Sequence, residues 1–100
     1  MIRVQQEEYV EAVLTLVERI PSGRVTTYGA LAEHLGVGGP RQVARVMALH
    51  GGPVPWWRVV RADGSLPDSH LPEALESYRV EGTPLTRSHR PDMALAFWSP

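Results

Sequence analysis

Hydrophobic positions recur at helical spacing along most of this chain. Tyr9, Val10, Val13, Leu14, Leu16, Val17 and Ile20 form one apolar stripe, and Glu7, Glu8, Glu11 and Glu18 lie mostly off it. This pattern predicts an amphipathic first helix, which Pro21-Ser22-Gly23 ends. Arg24 and Val25 then pass through an extended turn. Thr26 or Thr27 is placed to cap a second helix carrying Tyr28, Leu31, Ala32 and Leu35. Gly36-Val37-Gly38-Gly39 predicts a tight turn, and Pro40 suits the first position of a third helix, where its missing N–H costs nothing. That helix runs to about His50 with Val43, Val46 and Met47 inward, and Gly51-Gly52-Pro53 stops it. Val59-Val60 reads as a short strand and Asp63-Gly64 as its turn. A fourth helix follows, with Pro72 near its start, Leu71, Leu75 and Tyr78 on one face, and Gly82 beyond its end. From Thr83 to Pro100 the chain is punctuated by prolines. Met93, Leu95, Phe97 and Trp98 there either pack back or belong to a loose tail. The expected organisation is one domain over residues 1–82 and a C-terminal extension over 83–100.

Composition narrows the class. With 100 residues and 43% hydrophobic content, there is material for one core and not two. The chain has no cysteine, which excludes a disulfide scaffold and a thiolate metal site. Four histidines (His34, His50, His70 and His89) lack metal-ligand spacing, so neither a metal nor another cofactor is expected. No apolar run approaches the roughly 20 residues of a membrane span, and no signal-peptide pattern is present. A soluble, intracellular monomer without a membrane partner is the expectation.

The net charge of -1 conceals a strong asymmetry. Between positions 19 and 61 lie Arg19, Arg24, Arg41, Arg45, Arg58 and Arg61 against a single acid, Glu33. The flanks are acidic. A basic middle in an acidic chain is the pattern expected of a local polyanion site. Two short helices joined by a glycine turn, the second opening with arginine, also form a helix-turn-helix pattern. Such pairs occur equally as plain core packing. Arg41 and Arg45 share one helix face, however, and no acid lies three or four residues away to pair with either.

The stretch Pro55-Trp56-Trp57-Arg58-Val59-Val60 resembles the Pro-Cys-His-Arg-Val motif of the O6-alkylguanine-DNA alkyltransferases, with cysteine and histidine both replaced. Ile20-Pro21-Ser22-Gly23-Arg24-Val25-Thr26-Thr27-Tyr28-Gly29 resembles the segment before that family's helix-turn-helix. Pro40-Arg41-Gln42-Val43-Ala44-Arg45-Val46-Met47 resembles its recognition helix. The likeness covers roughly residues 7–82. Relatives that lack the cysteine, often with tryptophan in its place, are the alkyltransferase-like proteins. The resemblance implies a mainly α fold with a short β ribbon: a winged-helix-like helix-turn-helix domain of the alkyltransferase C-terminal type.

It also implies a function. Alkyl transfer from a guanine oxygen needs a thiolate, whereas Trp56 at the acceptor position offers only an indole N–H donor. Catalytic residues are therefore not expected, and the chain is read as a non-enzymatic sensor of O6-alkylguanine in double-stranded DNA. Arg41 matches the family's arginine finger, which enters from the minor groove and fills the space of the extruded nucleotide; a planar, permanently charged guanidinium suits that role. Tyr28 matches the tyrosine that presses on the neighbouring phosphate and helps turn the nucleotide out. Val59 would offer its main-chain carbonyl to the guanine amino group, and Trp56 would shape or close the pocket. The expected lesion pocket is thus Tyr28, Trp56 and Val59, and the expected DNA-binding set is Thr27, Tyr28, Arg41, Gln42 and Arg45. Nucleotide-excision repair proteins are the further partners implied, in the cytoplasm and on the nucleoid if the source is a bacterium.

Departures from the family pattern limit the transfer. Leu66-Pro67-Asp68-Ser69-His70 replaces the glycine-rich loop that closes over the family's pocket, and Gly51-Gly52 stands near the absent asparagine hinge. Glu81 falls near the family's buried glutamate but has lost its histidine partner, which points to a structural role. Two other classes compete. A winged-helix regulator, sequence-specific or nonspecific, would use the same basic helix on undamaged DNA. A glycosylase would rely on Asp63 or Asp68, which lie in a turn without an evident partner.

Overall fold

The computed structural model describes residues 2–66 and 70–100, with side chains from Gln6 onward. Its elements are α1 (Ile2–Glu18), β1 (Thr26–Thr27), α2 (Tyr28–Leu35), α3 (Pro40–His50), a 3-10 turn (Trp56–Arg58), β2 (Val59–Val60), α4 (Leu71–Glu81) and α5 (Met93–Ala96). The chain is mainly helical around a small two-stranded sheet, in the helix-turn-helix arrangement read from its pattern. The apolar stripe of α1 buries Val13, Leu16 and Val17, and Ile20 just beyond it, against Leu31 and Ala32 of α2 and Val43 and Val46 of α3. Tyr9, Val10, Leu14, Tyr28, Leu35 and Met47 close the margins of this aliphatic cluster.

Local chemistry sets the ends of the two central helices. Thr27 is the N-cap of α2, its hydroxyl accepting from Ala30 N at 3.0 Å. Gly36 terminates α2 in the left-handed region (φ 73°), where its N–H reaches back to Ala32 and Glu33 carbonyls. That conformation favours glycine because it has no Cβ. Pro40 opens α3 in the first turn, as expected. The turn between the helices sets their N-termini side by side: a Cβ on Gly29 would lie 3.8 Å from the Pro40 ring.

The strand departs from the sequence expectation in its partner. Asp63-Gly64 does form a tight turn, with Gly64 N–H donating to Arg61 O at 2.8 Å and Gly64 at φ 85°. β2 itself pairs in parallel with β1, Thr26 opposite Val59 and Thr27 opposite Val60, and just beyond it Arg61 N–H donates across the turn to Ser65 O at 3.0 Å. The extended residues ahead of the α2 cap supply the ladder that a hairpin would have supplied. In α4, Ala74 and Tyr78 are the buried residues, whereas Leu71, expected on the inner face, is 38% exposed. Gly82 ends the helix in the left-handed region.

Residues 83–100 lie against the rest of the molecule. Val25 N–H donates to Ala96 O at 3.0 Å, Trp98 N–H donates to Val25 O at 2.7 Å, and Val25 bridges Phe97 in parallel. Arg24 adds side-chain bonds to the carbonyls of Ala96 and Phe97. Ala96 is buried and Trp98 packs at the margin of the aliphatic cluster, while Leu95 and Phe97 face outward. A second cluster forms here from Val25, Val60, Leu66, Ala74, Tyr78 and Ala96, with Trp56 and Trp57 packed against it. Among the described residues no helix is long and apolar enough to cross a membrane.

Candidate DNA-lesion interface

The residues expected to contact DNA lie at the N-terminal ends of α2 and α3. Because Pro40 lies against Gly29, Tyr28 at the start of α2 and Arg41 at the start of α3 share one edge of the helix pair. Arg41, Gln42 and Arg45 are all exposed, and among the described residues neither arginine takes part in an ion pair. An arginine free of carboxylates keeps its full charge for a polyanion. Thr27 is half-buried, and its hydroxyl oxygen is already occupied by capping, which leaves the O–H as its free donor. Tyr28 is half-buried on the aliphatic cluster. Burial pushes its phenol above the ordinary value and the nearby Arg61 charge pulls it down, so the hydroxyl stays protonated at neutral pH and can donate to a phosphate.

The residues expected around the base divide between the two clusters. Val59 is fully buried beneath the Tyr28 side, main chain included, in the β1–β2 ladder. Trp56 stands half-buried on the second cluster. Its ring meets Trp57 edge-on (centroids 5.6 Å apart, planes at 84°) and tilts against His70 at 5.4 Å. Of the loop that replaces the family's pocket cover, Pro67, Asp68 and Ser69 lie outside the described residues.

Beneath Trp56 sits a polar network. Glu81 accepts from Trp57 Nε1 at 2.9 Å, from Gly23 N at 3.1 Å, and from the Arg58 guanidinium, whose Nη2 lies 2.6 Å from Oε2. Arg58 also donates to Ile20 O at 2.9 Å, and its guanidinium lies 5.7 Å from the centre of the Trp57 ring. Tyr78 Oη donates to Trp57 O at 2.7 Å. Burial raises the Glu81 carboxyl, but donation from Arg58, Gly23 and Trp57 outweighs it and holds the group below its ordinary value. Trp57, at the position of the family's histidine, thus supplies Glu81 with an N–H. The histidine is absent as the sequence shows, and an indole N–H stands in its place in a structural network.

The network also changes the charge count made from the sequence. Arg58 is neutralised by Glu81, whereas Arg24, though tied to the C-terminal carbonyls, stays exposed and keeps its charge. Arg61 remains exposed, and the β1–β2 register puts it alongside Tyr28. Sequence reasoning did not assign it to the site; the strand pairing that places it there joins residues more than thirty positions apart. His34, His50, His70 and His89 are all exposed, and among the described residues no group of three His, Asp or Glu side chains is placed to hold a metal ion. Two open clefts flank α1, but Glu7, Glu8 and Glu11 line both, which suits a cation better than DNA.

Comparison with known proteins places the chain in a family. The family model for the 6-O-methylguanine DNA methyltransferase DNA-binding domain matches residues 8–81. The DNA base-flipping protein of Escherichia coli K12 is 31% identical over 102 residues, spanning 95% of this chain and 78% of that protein. The DNA base-flipping protein of Vibrio parahaemolyticus (serotype O3:K6, strain AQ3810) is 25% identical over 99 residues, 94% of this chain and 99% of that one. Among solved structures, S. pombe Atl1 in complex with damaged DNA containing O6-carboxymethylguanine superposes with a TM-score of 0.80 at 27% identity, covering 94% of this chain and 97% of the other. A second structure of S. pombe ATL with DNA gives 0.77 at 28% identity over the same shares. With three quarters of its length matched, this chain belongs to the 6-O-methylguanine DNA methyltransferase DNA-binding domain family, and its structural likeness is to the alkyltransferase-like proteins.

Proposed function

We propose that this protein is a non-enzymatic sensor of DNA lesions, which docks in the minor groove, turns an O6-alkylguanine out of the stack and holds it without repairing it. One observation carries the reading. The helix-turn-helix edge that presents Tyr28 and Arg41 is intact and, among the described residues, free of ion pairs, while the acceptor position of the Pro55–Val60 motif is Trp56 in a chain with no cysteine. Binding parts are kept and the nucleophile is gone. Alkyl transfer to a thiol therefore has no acceptor here. Tyr28 presses the phosphate, Arg41 fills the vacated stack, and the Trp56 ring stands where the alkyl group would otherwise be transferred. Flipping costs a few kcal/mol and is cheapest for a weakly paired, damaged base, so discrimination begins before the pocket fills. The base-flipping relatives and the Atl1 complex with damaged DNA support the reading. A bound, unrepaired lesion then serves as the mark that nucleotide-excision repair proteins take up.

The test is a binding titration on matched duplexes, one with O6-methylguanine and one with guanine, followed by mass analysis of protein and DNA. At least tenfold preference for the lesion, about 1.4 kcal/mol, with neither mass changed, is expected. Arg41→Ala should remove most of that preference while the fold melts as before. Equal affinity for the two duplexes would instead indicate a sequence-reading or nonspecific DNA-binding domain.

A further inference from the structure

Beyond the family-matched residues 8–81 lies a hairpin that the sequence reading left unassigned. Leu85 and Pro91 form an antiparallel bridge, closed by Thr86 N–H donating to Arg90 O at 2.7 Å and His89 N–H donating to Thr86 O at 3.0 Å. His89 takes a left-handed conformation (φ 65°) at the tip, and residues 86–90 are all exposed. The base is anchored: Pro91 is buried, and Asp92 N–H donates to Pro84 O at 2.8 Å. The tip carries Arg87 and Arg90. Among the described residues Arg87 has no ion pair or side-chain hydrogen bond.

This arm is joined to the DNA-facing edge. Arg90 Nη1 lies 3.3 Å from Asp63 Oδ2, and the other oxygen of Asp63 accepts from Ser65 Oγ at 2.6 Å. Ser65 in turn accepts from Arg61 Nη1 at 3.3 Å, and Arg61 lies alongside Tyr28 through the β1–β2 register. Gly64 packs so closely on the hairpin that a Cβ there would meet Pro91 O. A basic line therefore runs from Arg45 and Arg41 past Tyr28 to Arg61, Arg90 and Arg87. Asp63 and Asp92 are the acids beside its far end. Asp63 is engaged by Ser65 and Arg90, and Asp92 caps α5 through Ala94 N.

We infer that the 85–91 hairpin is a second DNA-backbone contact, in which Arg87 and Arg90 hold phosphates beyond those reached from α2 and α3. The inference rests on the DNA-binding reading above and extends it to a segment outside the family match. Exposed guanidinia on a stiff arm suit phosphates, which contribute affinity without regard to sequence. The Arg90–Asp63 pair, exposed on both sides unlike Arg58–Glu81, is weak enough to yield to one. Lesion choice stays with Tyr28, Arg41 and Trp56.

The experiment measures affinity of the full chain for the O6-methylguanine and plain duplexes across a salt series. Each lost phosphate contact lowers the slope of log K against log salt by about 1. The double variant Arg87→Ala/Arg90→Ala should weaken both duplexes about equally at low salt and flatten the slope by about 2, leaving the lesion preference intact. Arg87→Lys/Arg90→Lys should restore most of the slope, because a point charge also satisfies a phosphate. Both variants alter exposed side chains, and unchanged circular-dichroism melting checks that the fold survives. An unchanged slope and affinity in the alanine variant would overturn the inference. So would unchanged DNA binding with loss of a repair protein's binding, which would assign the hairpin to a protein partner. A slope change without any lesion preference in the parent chain would keep this contact and remove the lesion-sensing reading instead.

Discussion

The aliphatic cluster beneath α1, α2 and α3 and the second cluster beneath Trp56 and Trp57 hold the molecule together by different means. Eight of the ten buried residues in the first come from α1, its C-terminal turn, α2 and α3, and they recur at helical spacing. Their packing is apolar, and short connections join the helices. The second takes its buried residues from five separate places between Val25 and Ala96, and needs polar bonds to hold them. Glu81 alone ties together α4, the 3-10 turn and the Gly23 loop. The difference suits the proposed function. A docking edge would need two helices at a fixed angle, which apolar ridges supply. A wall set against a base would need its rings fixed by directional bonds.

Removing the hub should produce the largest effect. Glu81→Ala leaves the Arg58 guanidinium, only 16% exposed at its side chain, without its carboxylate and orphans Trp57 Nε1 and Gly23 N. Breaking such a pair from one side costs about 3–5 kcal/mol, readable as a shifted urea midpoint. The same carboxylate sets an acid dependence. Its pKa is lowered in the folded protein, so its contribution is fully present above the unfolded value, near pH 4.3, and is lost as pH falls through the folded value. Glu81→Gln should flatten stability against pH below about 4. If acid unfolding of this variant followed the parent curve, the network would not be what holds the second cluster.

Leu31→Ala probes the other side of the comparison. Leu31 is fully buried between α1 and α3, and the truncation should cost about 3 kcal/mol through lost transfer energy and a residual cavity. Its pH dependence should parallel that of the parent chain, because the aliphatic cluster holds no ionised group. A steeper acid limb in Leu31→Ala would mean that the two clusters unfold as coupled units and not separately.

The same contrast explains what the sequence disclosed. The stripe from Tyr9 to Ile20, the glycine turn at 36–39 and Pro40 at the head of α3 are local signals, and the structure follows each of them. Thr27 was one of two candidates for its cap, and the geometry selects it. The partner of Val59-Val60 was not legible, since a two-residue strand carries no periodicity to say whether it pairs forward or back. Asp63-Gly64 has the composition of a hairpin turn and closes one between Arg61 and Ser65, but no strand ladder extends from it. The roles of Arg24 and Arg58 were hidden for a related reason. Charge counted along a chain does not show which arginines find partners, and both bond to groups more than twenty residues away. The edge bearing Tyr28 and Arg41 was legible because the two helix starts are twelve residues apart and joined by a recognisable turn. The Trp57–Glu81 bond was not, because Trp57 reads as apolar until its N–H is given a direction.

Thr27 belongs to both regions, which makes its smaller effect informative. Its backbone pairs with Val60 of the second cluster while its side chain caps α2 of the first. Thr27→Ala should cost about 1 kcal/mol from the lost cap, and Thr27→Ser should recover most of it because the hydroxyl is retained. The N-terminus of α2 also positions Tyr28, so a frayed first turn should weaken lesion binding in proportion to the time the turn is open. Measured in parallel, stability and affinity separate two roles for this residue. If Thr27→Ala loses no more affinity than the capping defect accounts for, Thr27 acts by holding Tyr28. A larger loss, recovered by serine, would mean that its free O–H reaches the DNA as well.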